Sequence, residues 1–156
     1  LNSPVVFCHN DLLAKNVIIS PNKDRVYMID FEYADYNYLA FDIGDHFCEY
    51  AGMHTVDYAF YPQRDVQVDW LRNYLKFKAE FQGDSAFEPN DDELHKLYGD
   101  VNKFALLSHL FWAIWAVLQA VHSKIDFDYL GYCQIRYDEY KRRKNEFLSI
   151  SPDKSD

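Results

Sequence analysis

The sequence contains few glycines, and those few do not cluster. The five glycines stand apart from one another, at positions 44, 52, 83, 99 and 131. A glycine-rich loop, which could surround phosphate groups with its backbone, is therefore absent from these 156 residues. Five prolines beside five glycines also exclude a collagen-like or low-complexity chain.

Cysteine is equally scarce. Cys8, Cys48 and Cys133 are odd in number, far apart, and form no C-x-x-C pair. This pattern argues against a disulfide framework and against a zinc site. A reduced, cytoplasmic protein is the expectation that follows.

Positive charge is in short supply. Sixteen lysines and arginines stand against twenty-five aspartates and glutamates, which gives a formal net charge of −9. Binding to nucleic acid or to an anionic membrane surface needs a basic face. We therefore expect no nucleic-acid partner and no general membrane affinity.

Apolar and aromatic residues are abundant. The chain is 49% apolar and 18% aromatic, which is enough for one domain with a real core and more aromatic side chains than that core needs. The first residue is Leu1 rather than Met, and 5–8 already has the composition of a buried strand. We therefore expect a fragment whose first residues lie within a fold.

One long apolar run could form either a membrane span or a core helix. Residues 104–121 contain no Asp, Glu, Lys or Arg. The length of this run is about the minimum for a membrane span. Ser108, His109 and Gln119 interrupt the run, and no basic cluster flanks it. A core helix buried on most sides is the better prediction, so we expect no membrane span.

Secondary structure is predicted to be α+β and mainly helical. Three β-type runs at 5–8, 17–20 and 26–30 come first, and the turn residues 21–24 join the last two into a hairpin. Apolar periodicity then predicts helices in 39–50 and 70–75. A capping box at Asn90 and Glu93 begins a helical region that reaches His122, with a break at Gly99. Asp126 or Asp128 is predicted to cap a last helix. Residues 1–150 then form one domain, with a polar tail at 151–156.

The segment Cys8-His9-Asn10-Asp11-Leu12-Leu13-Ala14-Lys15-Asn16 carries the functional signal. Asp11 and Asn16 share a loop between two predicted strands, and Asp30 ends the next strand. Phosphoryl transfer needs a carboxylate that orients the attacking hydroxyl and oxygen ligands for Mg²⁺, and protein kinases arrange these groups in the same order. Taken singly, His9 could bind backbone and Asp11 could cap a turn, but together the four residues favour kinase-like chemistry.

Three stretches carry a family resemblance: FCHNDLLAKNVI, IDFEYADYNYLAFDIGDHFCEY and HLFWAIWAVLQA. Together they closely resemble the choline/ethanolamine kinase family over about residues 4–147. The stretches NDLLAKN, EYAGMHTVDYAFYPQRDVQVDWLRNYL and FDYLGY are more similar to its ethanolamine branch than to its choline branch. The resemblance implies a protein-kinase-like C-terminal lobe, with a small β-hairpin carrying the catalytic and metal-binding loops.

The resemblance also implies roles for individual residues. Asp11 matches the catalytic base, and His9 matches a residue that supports its loop. Asn16 and Asp30 match the Mg²⁺ ligands that hold ATP, and Glu32 is either a further group near the metal or a solvated side chain. The positions that match the ammonium pocket are Glu49, Tyr33, Trp112, Trp115, Phe127 and Tyr132.

The pocket residues also fit the chemistry of a cation. Carboxylates pair with an ammonium group, and aromatic faces attract it by about 0.5–2 kcal/mol each. Asp42, Asp45 and Glu49 fall on one stripe of a predicted helix, expected opposite its apolar face. The open alternative is that the aromatic residues are core, that the stripe is solvated, or that Asp42 and Asp45 make structural hydrogen bonds.

The expected function is therefore ATP-dependent phosphorylation of a small amino alcohol, with Mg²⁺ and with ethanolamine as the preferred substrate. Choline is the nearest alternative substrate. Because the glycine-rich loop and the strand lysine of an N-terminal lobe are missing from this sequence, we expect the chain alone to be inactive or nearly so. A truncated partner of a full-length kinase stays an alternative, and the family resemblance makes a homodimer possible.

Overall fold

The computed structural model describes residues 3–151, which form a mainly helical domain, as predicted, with four short strands where three were predicted. The strands are β1 (Val5–Cys8), β2 (Val17–Ile19), β3 (Val26–Met28) and β4 (Asp35–Tyr38). The helices are α1 (Leu39–Glu49), α2 (Arg64–Phe81), α3 (Asp91–His122) and α4 (Tyr129–Leu148). Short 3₁₀ turns lie at Ala14–Asn16, Phe31–Tyr33 and Tyr58–Phe60.

The strands form two separate antiparallel pairs. The predicted hairpin is confirmed, since β2 pairs with β3 and Val17 lies opposite Met28. Strand β4 was not predicted; it pairs with β1, so that Cys8 lies opposite Asp35. The loop 9–16 connects β1 to β2, and the turn 30–33 lies between β3 and β4. The two segments consequently lie at the same end of the two strand pairs.

Helices α1 and α3 approach each other closely at Gly44. A Cβ atom built on Gly44 would lie 2.6 Å from the carbonyl oxygen of Val101 and 2.9 Å from the backbone nitrogen of Ala105. Real Cβ atoms do not come this close to a backbone, so a side chain here would force the helices apart. Around this contact, α1 and α3 bury the main apolar core, which includes Ile43, Phe47 and Val101.

Helix α3 begins where the sequence predicts. The side chain of Asn90 accepts a hydrogen bond from the Glu93 backbone, and the Glu93 side chain accepts one from the Asn90 backbone, which makes a capping box. The predicted break at Gly99 is wrong, because the helix continues to His122. At Gly99 the missing side chain makes room for Ile150, whose Cγ2 atom would lie 3.1 Å from a Cβ.

The apolar run in α3 is less enclosed than predicted. Of its most apolar 18-residue window, 44% is buried among the described residues. Leu107, Ile114 and Val121 are 48%, 63% and 73% exposed, so the prediction of burial on most sides is wrong in extent. The helix is long and apolar enough to cross a membrane by length and composition alone, and the absence of a span stays a prediction.

Helix α4 packs along α3 and begins at the second of its two predicted caps. The Asp128 side chain accepts a hydrogen bond of 2.9 Å from the backbone N–H of Gly131. The buried face of α4 is partly polar, because Tyr132, Arg136 and Glu139 are all buried. Of the predicted polar tail, only Ser151 falls within the described residues; its carbonyl binds the ring of His95 at 2.8 Å.

Candidate active site

The loop after β1 is held by a carboxylate from α1. Asp42 Oδ2 accepts a hydrogen bond of 3.0 Å from the backbone N–H of His9, and its Oδ1 accepts one of 2.7 Å from that of Asn10. Asn10 adopts a left-handed conformation with φ of 64°, which is uncommon for a residue with a side chain. The two hydrogen bonds stabilise this turn and so fix the direction of the next residue, Asp11.

Asp11 and Asn16 meet as the sequence predicts. Asn16 is buried at the end of its 3₁₀ turn, and its amide nitrogen lies 2.9 Å from the backbone oxygen of Asp11 and 3.2 Å from Asp11 Oδ2. Both donor hydrogens of Asn16 therefore point toward Asp11. The amide oxygen of Asn16 is the atom that could bind a metal ion.

The carboxylate of Asp11 is half-buried and close to other negative charge. Loss of hydration raises the pKa of Asp11 to about 6, and the charge of Glu49 contributes in the same direction. The influence of Glu49 places the end of α1 close to the loop 9–16. A carboxylate with this pKa is suited to accept a proton near neutral pH.

His9 links the loop to the segment after β3. Its ring Nε2 lies 2.9 Å from the carbonyl oxygen of Ile29, and the ring packs on Phe31 with centroids 4.8 Å apart. His9 is itself buried. It therefore holds Asp30, which lies between Ile29 and Phe31, at a fixed position relative to Asp11, which agrees with the predicted supporting role.

Asp30 has a backbone conformation that suits a functional residue. Its φ of 63° is left-handed, and although it stands at the N-cap of the 3₁₀ turn, its side chain makes no capping hydrogen bond. The carboxylate is exposed and close enough to Asp11 to raise the pKa of the latter. Glu32 is exposed on the same turn, and no hydrogen bond within residues 3–151 decides between its two predicted roles.

The predicted pocket aromatics lie together. Tyr33, Trp112, Trp115, Phe127 and Tyr132 all belong to one apolar cluster, distinct from the main core. Trp112 contacts Tyr33 and Trp115 edge to face, with centroids 5.5 and 5.3 Å apart. Trp115 Nε1 donates a hydrogen bond of 2.9 Å to the hydroxyl of Tyr33.

The two tryptophans differ in surroundings despite their shared helix face. Trp112 is 4% exposed, and its Nε1 donates to Asp45 Oδ1 at 2.7 Å. Trp115 is half-buried. Phe127 packs against Tyr132 with centroids 5.8 Å apart, and beside these two rings lies a cavity of about 310 Å³ that Asp126 also lines.

Glu49 lies at the buried end of α1. Its side chain is 8% exposed, and its Oε1 accepts a hydrogen bond of 3.0 Å from Arg136 Nη1. The predicted acidic stripe is therefore not a solvated face opposite the apolar one, because α3 and α4 cover it. Asp45, in the same stripe, is fully buried, and both Asp45 and Asp42 make the structural hydrogen bonds that were the open alternative for them.

Asp45 is part of a buried hydrogen-bonded network. Its Oδ1 accepts from Ser108 Oγ at 2.6 Å as well as from Trp112, while its Oδ2 is buried and has no hydrogen-bond partner among residues 3–151. Burial, followed by the charge of Glu49, raises the pKa of Asp45 to about 7. This carboxyl is consequently poised between its neutral and charged forms near physiological pH.

Arg136 is the site residue that sequence reasoning missed. It is 2% exposed, and its burial against Glu49 of α1 and Ser108 of α3 gives no local signal in the sequence around position 136. Neighbouring arginines at 142 and 143 pair within α4 with Glu139, one turn away on the same helix. Contacts with α1 and α3 distinguish Arg136 from them, and these appear only in the folded chain.

The described residues contain no cluster of three or more His, Cys, Asp or Glu side chains that could hold a metal ion. The predicted ligands Asn16 and Asp30 supply one amide oxygen and one carboxylate. Mg²⁺ commonly binds through one or two carboxylates, with phosphate oxygens and water completing its octahedron. The two side chains therefore fit Mg²⁺ held jointly with a phosphate group.

Known proteins are similar in sequence to this chain over nearly its whole length. The chain is 52% identical to a probable ethanolamine kinase of Nematostella vectensis, over 97% of this chain and 43% of that protein. It is 53% identical to an ethanolamine kinase of Drosophila melanogaster, over 99% of this chain and 29% of that protein. It therefore spans well under half the length of these curated relatives.

Solved structures of similar fold lead to the same family. An ethanolamine kinase of Plasmodium vivax superposes with a TM-score of 0.75 at 34% identity, over 89% of this chain and 34% of that one. A choline kinase of Cryptosporidium parvum superposes with a TM-score of 0.77 at 27% identity, over 95% and 41%. The family model described as choline/ethanolamine kinase matches residues 1–141. This chain belongs to the choline/ethanolamine kinase family.

Proposed function

We propose that this chain is the C-terminal lobe of an ATP-dependent ethanolamine kinase of the cytoplasm. The observation that carries the proposal is the contact between Asp11 and Asn16, in a loop anchored by Asp42 and facing Asp30. The carboxylate of Asp11 contacts the side-chain amide of Asn16, and Asp30 is near enough to raise the pKa of Asp11. This supports the proposal, because transfer of a phosphoryl group to a hydroxyl requires a base close to oxygen ligands for Mg²⁺. The relatives that are about half identical to this chain support the same activity.

Asp11 is the proposed base. Its carboxylate orients the hydroxyl of the substrate and takes up the hydroxyl proton as the oxygen bonds to the terminal phosphorus of ATP. The bond from that phosphorus to the bridging oxygen breaks at the same time, and ADP leaves with the bridging oxygen. Because the pKa of Asp11 is raised, the protonated form of Asp11 that results from the transfer is not highly unfavourable. His9 acts through backbone contacts and so positions the loop rather than touching the substrate.

Asn16 and Asp30 are the proposed ligands of Mg²⁺. The bound ion would offset the negative charge of the nucleotide phosphates. The hydrogen bonds from Asn16 to Asp11 keep the amide oxygen of Asn16 turned away from the base. The base Asp11 and the ligand Asn16 thereby have separate roles within the loop 9–16.

The aromatic cluster and Glu49 are proposed to hold the ammonium group. Aromatic faces attract a cation, and the Glu49 carboxylate adds charge at the same place. A primary ammonium has three N–H donors that carboxylate and hydroxyl oxygens can accept, whereas a trimethylammonium has none. The oxygens of Glu49, Tyr33 and Tyr132 give ethanolamine partners that choline cannot use.

Choline is the competing substrate, because the partly exposed rings of Tyr33, Trp115 and Phe127 also offer faces to a methylated ammonium. A competition assay of the full-length protein with ATP, ethanolamine and choline separates the two substrates. We expect a higher kcat/KM for ethanolamine. A higher value for choline would overturn the substrate assignment while leaving the kinase assignment in place.

The kinase assignment is tested with Asp11→Asn in the full-length protein. Loss of the base should lower kcat by about 10²–10⁴-fold, while ATP still binds because Asn16 and Asp30 are unchanged. Asp138→Asn is the matched control, since Asp138 is an exposed carboxylate on α4 that pairs with Lys141 at 2.7 Å. Turnover retained by Asp11→Asn would contradict the assigned role, and ATP binding lost with the turnover would contradict the separation of tasks.

A further inference from the structure

Arg136 is a buried cation that joins three helices. From α4, its Nη1 donates to Glu49 Oε1 on α1 at 3.0 Å, and its Nη2 donates to Ser108 Oγ on α3 at 2.8 Å. The same Nη1 lies 3.1 Å from the hydroxyl of Tyr132, one turn earlier on α4. A guanidinium group can make these contacts together because its donors spread in a fixed plane.

Two of these partners are proposed pocket residues. Arg136 engages Glu49 through Oε1, and no hydrogen bond between residues 3 and 151 engages Oε2. One oxygen of Glu49 is thus fixed by protein while the other stays available. Tyr132 is held twice, since its hydroxyl faces Nη1 and its ring lies 5.8 Å from the guanidinium carbon.

The network extends to a third pocket residue. Ser108 Oγ, which accepts from Arg136, donates to Asp45 Oδ1, and that same oxygen accepts from Trp112 Nε1. The Arg136 guanidinium is therefore hydrogen-bonded directly to Glu49 and Tyr132. It is linked to Trp112 through Ser108 and Asp45. Asp45 and Glu49 together carry two acidic groups against the single positive charge of Arg136.

We propose that Arg136 is the positioning residue of the amine pocket: it fixes Glu49 and Tyr132 so that the free oxygen of Glu49 receives the substrate ammonium. The substrate ammonium is the second positive charge for a cluster that has two acidic groups and one guanidinium. The inference rests on the proposed function, because it assigns the same pocket to an amino alcohol. It goes beyond that function because it assigns the geometry of the pocket to a residue that does not contact the substrate.

The geometry also separates this role from that of a simple stabilising ion pair. A compact lysine ammonium keeps the positive charge beside Glu49, yet it cannot reach Glu49, Tyr132 and Ser108 in one plane. Arg136→Lys therefore keeps charge and removes alignment. The loop 9–16 and the Asp30 turn make none of the hydrogen bonds to Arg136, so ATP binding and the base are left in place.

The experiment is steady-state kinetics of Arg136→Lys in the full-length protein with ethanolamine and ATP as varied substrates. We expect the KM for ethanolamine to rise about tenfold or more, because misplaced binding groups lose affinity steeply. The kcat and the KM for ATP should stay within about threefold of wild type, because the hydrogen bonds of Arg136 do not involve the loop 9–16 or the Asp30 turn. The matched control is Arg142→Lys on the same helix, whose partner is Glu139 and which should change none of the three.

An unchanged KM for ethanolamine would overturn the proposal, and so would an equal rise of both KM values. Where Arg136→Lys does not fold, Ser108→Ala decides the question, since it removes one partner of Arg136 and leaves the charge. It should raise the KM for ethanolamine at least about threefold with kcat retained, and an unchanged KM would again overturn the role. A wild-type protein that phosphorylates no amino alcohol would instead overturn the proposed function itself.

Discussion

The carboxylate of Asp42 accepts a hydrogen bond of 2.7 Å from the backbone N–H of Asn10, across 32 residues of sequence. Asn10 has a positive φ of 64° and immediately precedes Asp11. The second oxygen of Asp42 receives the N–H of His9 at 3.0 Å. A turn with an unfavourable backbone conformation is thereby stabilised from the first helix rather than by its own residues.

Asp42→Asn should disturb this turn without changing side-chain size. An amide presents one acceptor and one donor group to two N–H donors, so one hydrogen bond is lost and one repulsive contact is formed. We expect the free energy of unfolding to fall by about 1–3 kcal/mol, measured by urea denaturation. In the full-length protein kcat should fall at least about tenfold, because the direction of Asp11 is no longer fixed.

The control for this change is Asp57→Asn. Asp57 also accepts a backbone N–H, that of Ala59 at 2.9 Å, but it caps an exposed 3₁₀ turn away from the loop 9–16. Its substitution should lower stability slightly and leave kcat unchanged. Equal effects of the two substitutions on kcat would show that Asp42 does not act through the loop.

Gly44→Ala should separate α1 from α3. The added methyl group meets the backbone of Val101 and Ala105 at 2.6 and 2.9 Å, and backbone cannot rotate away. We expect a loss of about 1–3 kcal/mol in the free energy of unfolding despite the better helix propensity of alanine. Gly99→Ala, where the neighbour is the side chain of Ile150, should cost much less, and the reverse order would contradict the close packing.

Asp45→Asn should change how stability depends on pH. The pKa of Asp45 is about 7 in the folded protein, chiefly through burial and the charge of Glu49, against about 3.9 when unfolded. Between about pH 4 and pH 7 the folded form binds more protons at this group, so Asp45 lowers stability as pH rises through that window. The asparagine variant should therefore gain stability relative to wild type from pH 4 to 7.

The measurement is urea denaturation of both proteins at several pH values. Glu49, Arg136, Cys48 and Tyr132 all interact with Asp45, and they are common to both proteins, so their direct contributions largely cancel in the difference. A stability difference that does not vary with pH would mean that Asp45 stays charged when buried.

The two tryptophans should differ in their contribution to stability. Trp112→Phe removes a buried donor from Asp45 and should cost about 1–3 kcal/mol in the free energy of unfolding. Trp115→Phe removes a half-buried donor from Tyr33, whose hydroxyl can turn to water, and should cost about 1 kcal/mol or less. Thermal or urea unfolding ranks them, and equal losses would contradict the distinct surroundings of the two indoles.

Local signals predicted the parts of the fold that depend on neighbouring residues. The hairpin of β2 and β3, the capping box of α3 and the Asp128 cap of α4 each depend on residues a few positions apart. Strand β4 escaped prediction because its partner is β1, so that the pair Cys8 and Asp35 is 27 residues apart. The pairing, rather than the composition of β4, makes it a strand.

The site divides in the same way. The meeting of Asp11 and Asn16 followed from a short loop of five residues, and the structure places them in contact. The burial of Asp45 did not follow, since periodicity shows which residues share a face but not which helix covers it. Arg136 depends on partners 28 and 87 residues away, at Ser108 and Glu49, and no local pattern contains that information.

Helix α1 carries Asp42 near its beginning and Glu49 at its end, with Gly44 locked against α3 between them. The two ends have different roles, since one fixes the loop of the proposed base and the other carries a residue of the proposed amine pocket. Because one rigid helix carries both residues, a shift of α1 that made room for a larger amine would also misalign the proposed base. Divergence or engineering toward new amines must therefore proceed through side chains of α3 and α4, with α1 left in place.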